Sequence, residues 1–354
     1  MPAAAEHAPS PITYVTRKFP PGVGGMEQLA AELAALVTQD GAATVVAWDG
    51  RRRSLPGFGA RLLGLTWRAP GPGALLVGDV GLAAGWPALA RAGTGRRVVV
   101  AHGLDVVWRP AAYQRRVCEV LPRFDAVLAI SEATRQACLA RGVPPDRCQV
   151  VPPPVRPGPV VADRGRLEAT LGLGLGGRAI VLLLGRLVPR KGALWFLEAV
   201  VPRLPEEALV LVAGEGPEAA RLAEQVRAGG LAGRVVLLGR VNDDTRALLY
   251  GTADALAMPN LPTAGDMEGF GLVAVEAAMA GLPVVAADVE GLRDAVPPSP
   301  IAWRVPAGDG AAFAHALGEA VGISPEARAA GRQAAEARLA PQALAGRWLT
   351  AIRG

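Results

Sequence analysis

The segment Asp266–Asp288 reads DMEGFGLVAVEAAMAGLPVVAAD, and it contains a loop, a helical stretch and a strand in succession. Gly269 and Gly271 mark the loop, the residues over 272–280 favour a helix, and the apolar run over 284–287 has the length of a strand. A strand without polar alternation is typical of a parallel sheet covered on both faces. The segment therefore predicts one repeat of an α/β fold.

The same alternation of strands and helices extends along both halves of the chain. The predicted strands are 12–16, 44–48, 75–77, 98–101, 126–130 and 149–151, then 180–184, 209–213, 235–238, 255–258 and 284–287. The predicted helices are 26–37, 108–121 and 132–141, then 193–200, 218–228, 245–250, 272–280 and 311–321. This pattern predicts an α/β protein with two doubly wound, Rossmann-like domains, whose strands point their carboxyl ends at a shared central cleft.

Proline separates the two halves. Five prolines fall within residues 152–159, and such a run cannot form a helix or a central strand. We therefore expect a linker there, with a first domain over residues 1–155 and a second over 156–330. The tail over 331–354 is rich in Ala and Arg, and we expect a helix that packs back on the first domain.

Composition excludes several classes of protein. The chain has 354 residues, of which 51% are hydrophobic and 19% charged, so long disordered regions are not expected. No apolar run approaches the length of a membrane span, and residues 1–11 lack the features of a signal peptide. The three cysteines, which include no C-x-x-C pair, favour a reducing compartment. The sequence thus predicts a cytoplasmic protein.

Basic residues give the chain a net charge of +5, and arginine clusters occur at 51–53, 96–97 and 115–116. Two interpretations remain open for these clusters, a solvated face or a surface for anionic lipid, and the second would make the protein peripheral on a membrane. Few aromatic residues accompany them, so no nucleic-acid partner is expected.

The opening segment also carries the strongest chemical signal. Glu268 lies in the glycine-bracketed loop and Glu276 lies eight residues later on the predicted helix. Carboxylates accept hydrogen bonds from sugar hydroxyls, and backbone N–H groups at a helix start suit phosphate. The segment therefore predicts a site for a sugar, its diphosphate and a ribose.

A second loop, over 184–192, follows the first strand of the second domain and contains Arg186 and Lys191. Lys191 is one of only two lysines in this arginine-rich chain, the other being Lys18. Two cations at a strand's carboxyl end predict a diphosphate site and would stabilise a departing nucleotide.

Three weaker signals follow other strands. Gly24 and Gly25 precede the helix over 26–37 and would let the backbone close over a phosphate or a sugar. Gly214 begins a tight turn that is either structural or ligand-binding. His102 ends a valine-rich strand and is either a structural histidine or a hydrogen-bond partner for a sugar.

Other chemistries lack their signatures. No D-x-D pair and no His/Cys cluster with metal-ligand spacing is present, so neither a metal nor any other cofactor is expected. The G-x-G-x-x-G fingerprint of nicotinamide dehydrogenases does not follow any strand.

In combination these motifs resemble the retaining GT-B glycosyltransferases of family GT4, most closely the branch similar to phosphatidylinositol mannosyltransferases and lipopolysaccharide glycosyltransferases. The resemblance covers nearly the whole chain. Its motifs are residues 17–27, His102–Gly103, 131–134, Gly185–Arg186 with Lys191–Gly192, 214–217, and Glu268 with Glu276.

The resemblance implies a transfer of a hexose from a UDP- or GDP-sugar, with retention and without metal, to a lipid, glycan or small-molecule acceptor. The first domain would bind the acceptor and the second the donor. The residues implied to be catalytic are His102, Arg186, Lys191 and Glu268. The donor would contact Gly24, Gly25, Arg186, Lys191, Gly214, Arg240, Val241, Glu268, Gly269, Phe270, Gly271, Leu272 and Glu276.

One segment departs from the family pattern. The first domain commonly ends in Pro-Asn-Gly-Val-Asp, but here the chain reads PPPVR over 152–156. The departure leaves open a sugar-nucleotide-binding protein with impaired catalysis. Another GT-B enzyme, such as an epimerase or a phosphorylase, is a further alternative to a transferase.

Overall fold

A computed structural model describes residues 10–22, 24–41, 43–67, 73–93 and 95–354. Most of the segment in which no signal peptide is expected therefore lies outside the described residues. The chain divides into two compact units, one formed by Met1–Pro154 with Pro341–Gly354 and the other by Val155–Ala340.

The first unit contains a six-stranded sheet of order β2-β1-β3-β4-β5-β6, in which every neighbouring pair is parallel. Its strands are β1 (Ile12–Thr16), β2 (Ala43–Ala47), β3 (Ala74–Val77), β4 (Arg96–Ala101), β5 (Ala126–Ala129) and β6 (Cys148–Val150). Its helices include α1 (Gly25–Gln39), α2 (Leu55–Trp67), α3 (Val80–Gly85), α4 (Leu104–Val107), α5 (Ala111–Val120) and α6 (Glu132–Leu139). The strand order reverses between β1 and β3, which creates a switch point at their carboxyl ends.

The centre of this unit is apolar on both faces of the sheet. The side chains of Val98, Val99 and Val100 in β4 are fully buried, as expected for a parallel strand covered by helices on both sides. Ser131 begins α6 as the sequence predicts, because its hydroxyl accepts a hydrogen bond from the backbone N–H of Thr134 at 3.1 Å.

The second unit repeats the architecture with the order β12-β11-β10-β7-β8-β9, again with parallel neighbours. Its strands are β7 (Ile180–Leu184), β8 (Leu209–Ala213), β9 (Val235–Gly239), β10 (Ala255–Met258), β11 (Val284–Ala287) and β12 (Ala302–Val305). Its helices are α7 (Arg164–Leu171), α8 (Ala193–Ala199), α9 (Ala219–Ala228), α10 (Asp243–Thr252), α11 (Leu272–Met279), α12 (Leu292–Ala295), α13 (Gly310–Val321) and α14 (Pro325–Leu339). Its switch point lies between β7 and β10.

The C-terminal tail forms two helices, and only the second belongs to the first unit. Helix α14 packs against α11, whereas α15 (Pro341–Arg353) packs against α1 and the first sheet. Trp348 of α15 is fully buried, and its Nε1 donates to the carbonyl oxygen of Pro152 at 2.9 Å. The helices separate at Ala340, which is extended because the following Pro341 disfavours a helical conformation there.

The α/β class and the two doubly wound sheets are confirmed, and the predicted strands agree with the observed ones to within two residues. The predicted helix over 108–121 was wrong at its start, because Pro110 excludes Arg109 from the helix and α5 begins at Ala111. The short strand β12 was missed, since its AWRV sequence is neither wholly apolar nor alternating. Residues 151–163 form neither helix nor strand, as the prolines predict. None of the described helices combines the length and the apolar character needed to cross a bilayer.

Candidate active site

The switch point of the second sheet contains a shallow depression that is open to solvent. Gly185, Arg186 and Lys191 line it from the loop after β7, and Met258 and Asn260 line it from the end of β10. In open α/β sheets, ligands bind at the carboxyl ends of the strands at such a switch point. The depression is therefore the candidate site of this unit.

The two predicted phosphate ligands differ in their surroundings. Arg186 is exposed, and no ion pair to its guanidinium is present among the described residues. Lys191 ends a short 3₁₀ turn over Pro189–Lys191, and its half-buried ammonium lies 2.5 Å from Oε2 of Glu268. The structure thus brings Lys191 and Glu268 together, although they are distant in sequence.

Glu268 is buried in a polar cluster. Its Oε2 accepts hydrogen bonds from Nη1 of Arg190 and from Nδ2 of Asn260, the latter at 2.8 Å, in addition to the contact with Lys191. Its backbone N–H donates to Oε2 of Glu290 at 2.5 Å. Arg190 is itself held by Asp266, whose Oδ1 lies 3.0 Å from Nε of the arginine.

The charges around Glu268 decide its ionisation. Burial by itself would raise the pKa of this carboxyl group, but Lys191 and Arg190 outweigh burial and lower the pKa to about 2. For Glu290 the balance is opposite, because burial and the neighbouring charge of Glu268 raise its pKa. Glu268 is therefore a carboxylate at neutral pH and can accept hydrogen bonds from hydroxyl groups.

Helix α11 carries the second glutamate of the motif. Gly269, Phe270 and Gly271 form the loop before it, Phe270 being buried, and Leu272 is its first residue. Glu276, one turn further along, accepts a hydrogen bond at Oε2 from the hydroxyl of Tyr250 in α10 at 2.8 Å. Burial and the charge of Glu276 raise the pKa of Tyr250 well above its usual value, so the phenol remains a donor.

The turn after β8 has a structural explanation. A Cβ atom on Gly214 would lie 1.9 Å from the carbonyl oxygen of Gly185, so only glycine allows the two loops to approach this closely. Arg240 and Val241 follow β9 at the edge of the sheet, where Arg240 is exposed. The structure shows where these three donor-site candidates lie, and their contacts with a donor stay a prediction.

The remaining candidates belong to the first unit. Gly24 caps the N-terminus of α1 and Gly25 is its first residue, directly after the loop that leaves β1. His102 follows β4 and is 9% exposed, and its Nε2 lies 2.8 Å from the carbonyl oxygen of Gly78. Because a carbonyl oxygen only accepts, Nε2 carries the proton, and this contact sets the orientation of the ring.

Two buried aspartates near His102 were missed in the sequence. Asp105 accepts hydrogen bonds from the backbone N–H groups of His102 and Val80, at 2.9 and 3.0 Å, and burial raises its pKa. Asp79 accepts a hydrogen bond at Oδ1 from Nε of Arg17 at 2.7 Å. Asp79 lies two residues after β3 and Asp105 four residues after β4, and these positions were a usable signal, because polar residues that follow parallel strands meet at the switch point.

In the second unit, sequence reasoning identified Lys191 and Glu268 but assigned no role to Arg190, Asn260 or Tyr250. Asn260 is the second residue after β10, so a search for polar residues just after strands could have identified it. Arg190 and Tyr250 carried no such signal, because an arginine beside a lysine and a tyrosine within a helix are ordinary surface and core residues.

Comparison with known families matches both units. The family model described as "Glycosyltransferase Family 4" matches residues 23–158, and the model described as "Glycosyl transferases group 1" matches residues 178–322. Together the two matches cover well over half of the chain, one in each unit.

Curated relatives point to the same family. The chain is 28% identical to a GDP-mannose-dependent alpha-(1-6)-phosphatidylinositol monomannoside mannosyltransferase of Mycobacterium tuberculosis, over 81% of this chain and 83% of that protein. It is 40% identical to a phosphatidyl-myo-inositol mannosyltransferase of Mycobacterium leprae over 39% of this chain, a match that spans only 36% of that relative. It is 34% identical to a D-inositol 3-phosphate glycosyltransferase of Nocardia farcinica, over 61% of this chain and 49% of that protein.

Solved structures share the fold. Anabaena HepE in complex with UDP superposes with a TM-score of 0.73 at 18% identity, over 96% of this chain and 98% of that one. Sucrose-phosphate synthase from Thermosynechococcus elongatus superposes with a TM-score of 0.70 at 21% identity, over 96% and 97% of the two chains. The matched family models, the named relatives and the two parallel six-stranded sheets lead to one conclusion: this chain belongs to glycosyltransferase family 4 and is a glycosyltransferase with the GT-B fold.

Proposed function

We propose that this chain transfers a hexose from a UDP- or GDP-sugar to a lipid, glycan or small-molecule acceptor, with retention of configuration and without a metal ion. The observation that carries the proposal is the pairing of Lys191 with the buried carboxylate of Glu268 beside the depression that Arg186 also lines. A cation for the diphosphate and a carboxylate for the sugar thus lie side by side at the switch point of one sheet.

In this proposal Arg186 and Lys191 bind the donor's diphosphate. Each charge-assisted hydrogen bond contributes about 1.5–3 kcal/mol. Negative charge builds up on the diphosphate as the glycosidic bond breaks, so the same two cations stabilise the leaving group more strongly in the transition state than in the ground state.

The two carboxylates orient the rest of the donor. Glu268 is ionised and accepts hydrogen bonds from hydroxyl groups of the hexose. Glu276 accepts from the ribose, and the hydrogen bond from Tyr250 holds its carboxylate in one orientation. Tyr250→Phe is therefore expected to weaken nucleotide binding by roughly tenfold, the value of one hydrogen bond, in calorimetric titrations with UDP and GDP.

The first unit supplies His102, whose Nε2 is engaged by Gly78, so that Nδ1 is the nitrogen that accepts a hydrogen bond from a sugar hydroxyl. Gly24 and Gly25 provide a backbone loop at the start of α1, a helix of 15 residues, where N–H groups suit a phosphate. His102→Ala should lower kcat for transfer more than it weakens nucleotide binding.

Retention and metal independence are proposed from the family resemblance. Among the described residues, no three His, Cys, Asp or Glu side chains come together as a possible metal site. The test is the transfer rate after treatment with EDTA, compared with the rate after Mg²⁺ or Mn²⁺ is added back, together with the NMR coupling constant of the anomeric proton in the product. An EDTA-sensitive rate or an inverted anomeric centre would refute the corresponding part of the proposal.

The relatives suggest which substrates to try first. The M. tuberculosis relative is named for GDP-mannose and a phosphatidylinositol monomannoside, and the N. farcinica relative for D-inositol 3-phosphate. GDP-mannose and UDP-glucose should be combined with inositol-containing lipids and with D-inositol 3-phosphate, and products detected by mass spectrometry.

Variants in the depression test the assignment. Lys191→Ala and Glu268→Ala should each reduce transfer by roughly a hundredfold or more. The matched control is Arg227→Ala, because Arg227 is highly exposed on α9, pairs with Glu224 of the same helix and lies outside the depression. Full activity of both site variants would refute the proposal.

We also propose that the protein is cytoplasmic and associates peripherally with anionic membranes. The support is the arginine run that precedes α2 together with Leu55 and Leu63 of that helix, which are each 49% exposed. Co-sedimentation with phosphatidylserine vesicles at low and high salt tests this. Absence of salt-sensitive binding to the vesicles would refute the proposed membrane association.

A further inference from the structure

In the proposed function, two negatively charged groups require the ammonium of Lys191. Its ammonium forms an ion pair with Glu268 at 2.5 Å, yet the same ammonium is needed by the donor's diphosphate. A diphosphate carries more charge than one carboxylate and attracts the ammonium more strongly. Glu268 would then lose part of the positive charge that keeps it ionised inside a buried cluster.

The structure contains a second cation for Glu268 that is anchored independently. Arg190 donates to Glu268 through Nη1 and to Asp266 through Nε, so one guanidinium holds two carboxylates. Its side chain is only 12% exposed, and its carbonyl oxygen accepts from the backbone N–H of Leu261 at 2.9 Å. Arg190 is therefore tied both to the loop before α11 and to the segment after β10, and it does not line the depression.

Asn260 is the third partner of the carboxylate. It is 2% exposed, its Nδ2 donates to Oε2 of Glu268 at 2.8 Å, and its Oδ1 is buried without a hydrogen-bond partner among the described residues. Since Asn260 lies in the wall of the depression, its unpaired oxygen is an acceptor for the Lys191 ammonium or for a donor hydroxyl group.

All three partners contact Oε2 of Glu268. None of these three contacts is made through Oε1, so this oxygen is the one that would accept from a sugar hydroxyl. The carboxylate is thus held by one oxygen and can act through the other.

We propose that Arg190 and Asn260 are positioning residues, which hold Glu268 ionised and in place through Oε2 while Lys191 turns from Glu268 to the diphosphate of the bound donor. This inference rests on the proposed function and deepens it. It assigns Arg190 to the sugar half of the site, although its neighbour Lys191 serves the phosphate half.

Arg190→Met tests the inference, with Arg190→Lys as the conservative variant. Affinities for UDP and GDP should stay within about threefold of wild type, because Arg186 and Lys191 remain, whereas kcat for transfer should fall by roughly tenfold to a hundredfold. Arg190→Lys should recover part of kcat, since lysine supplies the charge but not the fork that reaches both carboxylates.

The pH profile is a readout that a merely structural role would not change. Glu268 must be ionised to act. Among the described residues, Lys191, Arg190 and Asn260 contact its carboxylate, Glu290 accepts from its backbone N–H, and Asp266 pairs with Arg190. Removal of the Arg190 cation raises the pKa of Glu268, so the acid limb of kcat should move to higher pH in Arg190→Met.

Arg234→Met is the matched control. Arg234 lies in the same unit, and its hydrogen bonds within the described part of the chain go to the backbone carbonyl oxygens of Val201, Leu204 and Pro205, so its loss should lower thermal stability without moving kcat or the acid limb. The same acid-limb shift in this control would overturn the inference.

The remaining outcomes separate the two proposals. A kcat of Arg190→Met equal to wild type would overturn the inference alone, as would a loss of UDP and GDP affinity as large as the loss of kcat, which would make Arg190 a phosphate ligand. A wild-type chain that neither transfers from nor binds GDP-mannose or UDP-glucose would overturn the proposed function, and the inference with it.

Discussion

Replacement of Glu268 by glutamine tests the electrostatics of the candidate site in the absence of any substrate. The substitution keeps the shape of the side chain but removes the negative charge that Lys191 and Arg190 share. The side chain is only 11% exposed, so solvent screens these interactions weakly.

The magnitude follows from the pKa of Glu268, which falls from an ordinary value of 4.5 to about 2 on folding. A lowered carboxyl pKa stabilises the folded state above the unfolded-state value, by about 3 kcal/mol for this shift at about 1.4 kcal/mol per unit. That contribution is lost as the pH falls from 4.5 towards 2. Loss of the charge also removes the repulsion between Glu268 and Glu290, which contributes to the raised pKa of Glu290 and opposes folding. We therefore expect Glu268→Gln to destabilise the protein by about 2–3 kcal/mol at pH 7.

Urea unfolding of wild type and variant at pH 7, 5, 4 and 3, followed by circular dichroism, measures the difference. The control is Glu224→Gln, since Glu224 is 59% exposed on α9 and pairs with Arg227, and an exposed pair contributes at most about 1 kcal/mol. The difference between wild type and Glu268→Gln should be constant from pH 7 to 5 and shrink at pH 4 and 3. Equal stabilities at pH 7, or a difference that grows towards pH 3, would refute the reasoning.

Two further substitutions test packing. Gly291→Ala would place a Cβ atom 2.3 Å from the carbonyl oxygen of Gly269, so the loop before α11 must shift and the transfer rate should fall by roughly tenfold or more. The control is Gly233→Ala, which should leave the rate unchanged because no atom lies within 4 Å of the added Cβ. Equal rates for the two variants would contradict this expectation. Trp348→Ala removes a fully buried indole and its hydrogen bond to the carbonyl of Pro152, and should cost about 3–5 kcal/mol in urea unfolding. A loss below about 1 kcal/mol would mean that α15 contributes little to the first unit.

The strands were predictable because each is a short apolar run between glycine, proline or polar turns. Val284–Ala287 and Ile180–Leu184 have no polar residue to obscure them, and both were identified with their observed bounds. The strand β12 was not identified because Trp303 and Arg304 give it a mixed composition at the edge of the sheet.

The tail shows where local pattern was insufficient. Residues 325–353 are helix-forming throughout, but which unit each helix packs on depends on contacts with residues far away in the chain. Arg338 of α14 donates to the carbonyl oxygens of Asp294 and Ala295, whereas Arg347 of α15 donates to that of Val150. These partners are not encoded near the helices themselves.

The sequence by itself determined the alternation of strands and helices, the family and the two glutamates of the motif, because these depend on residue type and local spacing. Only the tertiary structure decided which charges meet. Arg190 and Glu268 are 78 positions apart, and Tyr250 and Glu276 are 26 apart. Such pairs form because parallel strands bring their carboxyl-end loops to one edge of the sheet, and the energy of a buried charge depends on distances that spacing along the chain does not reveal.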